Sequence, residues 1–131
     1  MPTIFTRIIN RELPGRFVYE DEQTVAFLTI APIRPGHTLV VPRLEIDHWI
    51  DLPDEAQRDL WSVAAKVGRA IQEAFQPRRV AAIIAGLEVP HTHVHLIPIE
   101  SEKQLDFSLA NPNASSEQLD EVAERIRTAL A

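Results

Sequence analysis

Between Leu60 and Ala74 the apolar residues Leu60, Ala64, Val67, Ile71 and Ala74 fall three or four positions apart, the spacing of one helix face. Pro53 and the acidic residues after it suit a helix start, and Pro77 ends the stretch. A second stripe of Leu119, Val122, Ile126 and Leu130 predicts a helix over residues 115–130, where Ser115 and Gln118 are placed to form a capping box. Residues 2–10 predict a short amphipathic helix with Ile4, Phe5, Ile8 and Ile9 to one side. The other apolar runs are too short for helices. Residues 17–19 and 25–28, split by the polar tip 20–23, predict a strand pair. Residues 37–42 predict a strand buried on both faces, and 80–85 a central strand. Prolines and glycines make residues 13–15 a turn and 31–36 a loop, while 100–113 is polar and without period. The order of elements predicts an antiparallel sheet with helices on one side, an α+β fold.

One stretch has a period of two. In residues 90–98, His91, His93 and His95 alternate with Thr92, Val94 and Leu96. Strand geometry would put three imidazoles on one face and the other residues on the opposite one. Three readings compete. The histidines can be satisfied core or rim residues, although stacked imidazoles repel whenever more than one is protonated. They can bind a metal, since His-x-His pairs chelate zinc. On a straight strand, however, the outer two lie about 13 Å apart, so a metal would need a bulge, or a pair joined by His37 or His48. Or a neutral imidazole can attack phosphorus and split one displacement into two. Its neighbours would then supply protonated donors to the nonbridging oxygens. His93, flanked on both sides, is the natural nucleophile.

Composition narrows the setting. A chain of 131 residues, 45% hydrophobic and 24% charged, is expected to form a single soluble domain over residues 1–131. With no cysteine there is no disulfide framework and no thiolate metal site, which fits a reducing compartment. No secretory leader pattern and no apolar run of membrane-spanning length is present, so a cytoplasmic protein without a membrane partner is expected. The net charge of −6 argues against a polynucleotide partner and leaves room for a small anionic ligand.

The His-x-His-x-His pattern followed by apolar residues resembles the histidine-triad (HIT) superfamily, in its Hint-like branch. The resemblance extends to Phe5-Thr6-Arg7-Ile8-Ile9, Val18-Tyr19-Glu20-Asp21, Ala26-Phe27-Leu28, residues 35–42, Asp51-Leu52 and the C-terminal helix. It implies a HIT-like α+β fold: a five-stranded antiparallel sheet, a long helix on one face, a short N-terminal helix and a family-type C-terminal helix at about 115–131. It also implies a nucleotide hydrolase or transferase acting at the α-phosphate. His93 would carry the nucleotidyl group, with its Nδ1 bonded to the His91 carbonyl, and His95 and His37 would line the phosphate site. Phe5, Ile8, Leu13, Phe27, Ile30 and Leu39 stand where the family lines its base pocket, residues that a core would also want. A small-molecule nucleotide partner and a homodimer built through the long helix and the last strands are further implications. No cofactor is expected, beyond magnesium carried by a polyphosphate substrate.

Several positions depart from the family pattern. Thr29 replaces the acidic residue that commonly holds the ribose hydroxyls and cannot offer bidentate acceptance. Gly86-Leu87-Glu88 replaces the usual Gly-Gln-Ser or Gly-Gln-Thr, and Ala85 stands near the place of an Asn. Leu87 offers neither an amide nor a hydroxyl. Glu88 would repel phosphate if ionised, donate to a leaving oxygen if protonated, or simply face water. Weak or absent phosphoramidase activity is therefore expected. A nucleotide-binding protein with little turnover, in a scaffold or regulatory role, is the alternative, and a metal-dependent hydrolase is a third. Zinc-binding members use a Cys-x-x-Cys and a histidine at places held here by Thr3, Thr6 and Glu45, so no metal is expected. His48 lies outside the pattern, Trp49 and Trp61 read as packing residues, and Arg34 and Arg43 as solvated.

Overall fold

A computed structural model describes residues 2–131; Met1, with which the expected domain opens, lies outside the described residues. The elements run α1 (Ile4–Ile9), β1 (Phe17–Glu20), β2 (Thr24–Leu28), β3 (Thr38–Pro42), α2 (Asp54–Phe75), β4 (Arg79–Ile83), β5 (Val94–Ile99) and α3 (Ser116–Leu130). All five strands join one antiparallel sheet in the order β1-β2-β3-β5-β4. This is the α+β architecture expected from the sequence, with one correction: the helices are not all on one side, since α1 packs on the face opposite α2 and α3. Among the described residues, no helix is long and apolar enough to cross a membrane.

Strand alternation divides the sheet into two working faces. Ala26, Leu28, Val40, Val94 and Leu96 meet Leu60, Val67 and Ile71 of α2 and Leu119, Val122 and Ile126 of α3 in the main core. On the opposite face, Phe27, Leu39, His95 and Ile83 form one row across four strands. Two smaller apolar clusters cover that face. At one end Phe5 and Ile9 of α1 pack on Val25, Phe27, Leu39 and Val41. At the other, Ile33, Ile97 and Ile99 pack with Leu105 and Ala110 from the segment after β5. The histidines lie in the gap between the clusters.

Local chemistry sets the boundaries. α2 ends at Gln76, left-handed at φ 50, just before Pro77. α3 starts at Ser115, whose hydroxyl accepts from the Gln118 N–H at 3.1 Å; this is one half of the expected capping box. Residues 100–113 contain two short 3-10 turns, Glu102–Gln104 under a complete capping box from Ser101 and Phe107–Leu109 under Asp106.

One strand sits elsewhere than expected. β4 is an edge strand with half-exposed side chains, not a central one. Its apolar run identifies a strand that wants cover, but only the chain topology decides whether a neighbouring strand supplies it.

Candidate active site at the histidine cluster

The triad is not one continuous strand. β5 begins at Val94, so His91 and His93 lie in the extended entry to it and only His95 is on the ladder. The entry is pinned by Thr92, whose N–H and hydroxyl both bond the Ile46 carbonyl, at 2.7 and 2.8 Å. This turns Thr92 away and His91 and His93 toward α1. Pro42 has no N–H for a ladder bond, and its carbonyl instead accepts from His91 Nε2–H at 2.8 Å.

Backbone groups then fix the tautomer of every ring in the cluster. His93 Nδ1–H donates to the His91 carbonyl at 2.7 Å, leaving the Nε2 lone pair free. The Ile33 N–H donates to His37 Nδ1 at 3.0 Å, so the His37 proton is on Nε2 and points to His95 Nδ1 at 2.9 Å. His95 therefore carries its own proton on Nε2. His37 is aimed by Gly36, which takes φ 103 and packs so closely that a Cβ would come within 3.1 Å of Pro98 and 3.3 Å of Phe75. Thr24 Oγ1 is the one buried side-chain polar atom without a partner among the described residues. His93 Nε2 and His95 Nε2 have no partner either, so both reach solvent, although His93 as a whole is only 6% exposed.

Burial sets the charge state. Desolvation, reinforced by the neighbouring histidines, pushes His37 down to about 3 and His95 down to about 4. Burial likewise lowers His91 and His93, partly opposed at His93 by its bond to the His91 carbonyl and by the charge of Glu88. The expectation of protonated neighbours is thus corrected: near neutral pH the rings are uncharged, and His95 donates as a neutral N–H. The result is one ring lone pair beside one ring N–H, with ring centroids 4.8 Å apart.

The apolar candidates divide. Phe5, Ile8, Phe27 and Leu39 share one cluster, and the Phe5 ring stands edge-on to His93 at 4.8 Å. Half-buried Leu13 and Ile30, 75% exposed, lie outside that cluster. The Thr29 hydroxyl accepts from the Ala31 N–H at 3.2 Å, which organises the loop. Leu87 is 95% exposed and Glu88 is exposed on the loop leading to His91. Sequence reasoning missed Phe107, whose ring stands edge-on to His95 at 4.9 Å while the residue stays 46% exposed. An isolated aromatic in a polar, aperiodic segment was its only signal.

The HIT domain family matches residues 10–102. The chain belongs to the HIT family. This HIT protein is 37% identical over 103 residues to the purine nucleoside phosphoramidase of Escherichia coli strain K12, an alignment spanning 72% of this chain and 85% of that enzyme. It is 35% identical over 95 residues to the asymmetrical bis(5'-nucleosyl)-tetraphosphatase of Schizosaccharomyces pombe, covering 69% of this chain and 50% of that one. Its relatives thus include nucleotide hydrolases. A zinc-bound histidine triad family protein from Mycobacterium smegmatis superposes with a TM-score of 0.83 at 26% identity, covering 97% of this chain and 91% of that one.

The donors of this HIT protein do not fit zinc, which takes thiolate, imidazole or carboxylate ligands. Thr3 and Thr6 offer hydroxyls. Glu45 Oε1 already accepts from the Thr3 N–H at 2.8 Å and the Thr6 hydroxyl at 2.6 Å, and both His91 nitrogens are bonded. Among the described residues, no three His, Cys, Asp or Glu side chains are grouped to hold a metal ion.

Proposed function

We propose that this HIT protein is a nucleotide hydrolase or transferase of the Hint-like branch that acts at the α-phosphate of a nucleotide derivative through a covalent His93 intermediate. The observation that carries this reading is the pair of solvent-reaching Nε2 atoms, one a lone pair and one an N–H, whose roles are set by backbone groups. His95 Nε2–H binds a nonbridging oxygen of the α-phosphate. The His93 Nε2 lone pair forms a bond to phosphorus, the bond to the leaving group breaks, and the leaving atom takes a proton from water. His93 then carries a positive charge, which the His91 carbonyl at Nδ1 stabilises and the uncharged neighbouring rings do not oppose. Water or another acceptor attacks phosphorus, the N–P bond breaks, the attacking group loses its proton to solvent, and His93 returns neutral. Phe5, Ile8, Phe27 and Leu39 form the apolar side on which the base would rest, with Leu13 and Ile30 at its margin and Thr29 toward the ribose.

The Escherichia coli relative makes phosphoramidates the first substrates to try and the Schizosaccharomyces pombe relative makes dinucleoside polyphosphates the second. Leu87, exposed and without a polar group, favours low phosphoramidate turnover and keeps nucleotide binding with little turnover as a second reading. The protein is cytoplasmic and dimeric in this proposal. β4 leaves one sheet edge unpaired, and the groove beside it is lined by Trp61, Ala65 and Gly68 of α2 with Val80 and Ala82. A second copy covering that face would extend the sheet symmetrically and remove the exposed edge.

The deciding experiment is intact-mass spectrometry after rapid quench with adenosine 5'-phosphoramidate and with diadenosine tetraphosphate. A nucleotidyl adduct on His93, missing from His93→Ala, is expected. Turnover without an adduct at His93 would overturn the mechanism. AMP binding without turnover of either compound would favour the second reading.

A further inference from the structure

His91 is fully buried and takes no direct part in the chemistry, yet both its ring nitrogens are bonded and its carbonyl orients the nucleophile. The bonds around it continue to the surface. Its Nε2–H is committed to the Pro42 carbonyl, which can only accept, so Nδ1 of the neutral ring must itself accept. Thr3 Oγ1, 2.8 Å away, is the donor. That hydroxyl has a single hydrogen, and its oxygen also accepts from the Thr6 N–H at 3.1 Å as the N-cap of α1. The Thr6 hydroxyl spends its hydrogen on Glu45 Oε1 at 2.6 Å, so its 3.4 Å approach to His91 Nδ1 leaves that nitrogen to Thr3. Glu45 Oε1 closes the network by accepting from the Thr3 N–H at 2.8 Å.

We propose that Thr3, Thr6 and Glu45 are positioning residues for His93: they hold the start of α1 against His91 and so fix the carbonyl that orients the His93 ring. The network acts from two sides. Through Thr3 it satisfies His91 Nδ1 and keeps the ring in the Nε2–H form that binds Pro42. Through the anchored helix it sets Phe5, whose ring meets His93 at 4.8 Å and Phe27 at 5.6 Å. An error in either contact rotates the His93 ring and moves Nε2 off the line of attack. α1 has only six residues, too few to be stable alone, so its tether to Glu45 carries weight that a longer helix would share with its packing.

This role rests on His93 being the nucleophile, and the test separates the two ideas. Long-range ¹H–¹⁵N NMR of the full chain, with AMP added as probe, reads the ring nitrogens of His91 and His93 without needing turnover. Thr3→Val keeps the shape and loses the hydroxyl; it is expected to shift the His91 Nδ1 signal and broaden or shift those of His93. It is also expected to slow nucleotidylation of His93 about tenfold with AMP affinity unchanged, a misorientation effect. Thr3→Ser is expected to restore both signals and rate. Glu45→Gln keeps an acceptor oxygen and is expected to fall near wild type, whereas Glu45→Ala should behave as Thr3→Val. Wild-type His91 and His93 signals in Thr3→Val, or a slowed rate with those signals unmoved, would overturn the proposal. Absence of any His93 adduct in the wild type would sink the nucleophile reading instead, and the NMR arms would still decide the positioning of the ring.

Discussion

Acidification from pH 7 to pH 5 should weaken this fold through histidines that it holds uncharged. His37 sits at about 3 and His95 at about 4, against an ordinary 6.5, because burial and the neighbouring rings penalise the imidazolium form. Below pH 6.5 the unfolded chain takes up protons that the native state refuses, so unfolding binds protons and stability falls as pH falls. Each such group contributes about 1.4 kcal/mol per pH unit once well below its unfolded value. Integrated from pH 7 to pH 5, with both rings still neutral in the fold, this is about 2 kcal/mol each and about 4 kcal/mol for the pair. His91 and His93 are shifted in the same direction and add to it. Most carboxylates titrate below this window, so the fall belongs chiefly to imidazoles. Urea unfolding followed by the fluorescence of Trp49 and Trp61 measures it. His37→Asn keeps an acceptor for the Ile33 N–H but cannot titrate, and should lose about half of the pair's fall. Equal stability at pH 7 and pH 5, or an undiminished fall in His37→Asn, would refute the reasoning.

Leu87→Gln places an amide on the loop before the triad, where Leu87 now faces solvent; adenosine phosphoramidate turnover should rise about tenfold in a steady-state assay, with the melting temperature unchanged. Chelator treatment should alter neither the melting temperature nor turnover, and elemental analysis of the purified protein should find no stoichiometric zinc. Ala82→Asp puts a carboxylate in the groove beside the free edge of β4; on a sizing column it should elute as a monomer, whereas the parent chain should elute as the proposed dimer.

Much of the fold could be read because its helices advertise themselves. The stripe of α2 and α3 repeats every three or four residues, and both helices bury the faces so marked. β4 was legible as a strand but not as an edge, since β5 pairs between it and β3, a crossover that leaves no local trace. The alternation of His91, His93 and His95 points to the rings that the structure brings together, while overstating the regularity of the strand that carries them. Pro90 and the two bonds of Thr92 to Ile46 delay the ladder until Val94, and no period-two count registers a bond of that range.

The charge state of the site was the harder reading, and it changes the chemistry. Three adjacent imidazoles near neutral pH suggest a cationic cradle, which would bind phosphate tightly but oppose the positive charge that forms on an attacking ring. Burial decides otherwise by holding the rings uncharged, and two main-chain groups, the Ile33 N–H and the His91 carbonyl, place the protons of His37 and His93 before a ligand arrives. Neither is a side-chain letter in the sequence, and Ile33 is known by its type only as an apolar loop residue. A ring that is neutral, correctly protonated and open at one nitrogen needs no proton removed before it attacks. Burying His37 and His95 therefore costs stability in acid and, in the proposed mechanism, would by the same desolvation keep the neighbours of a His93 nucleophile from repelling its charged intermediate.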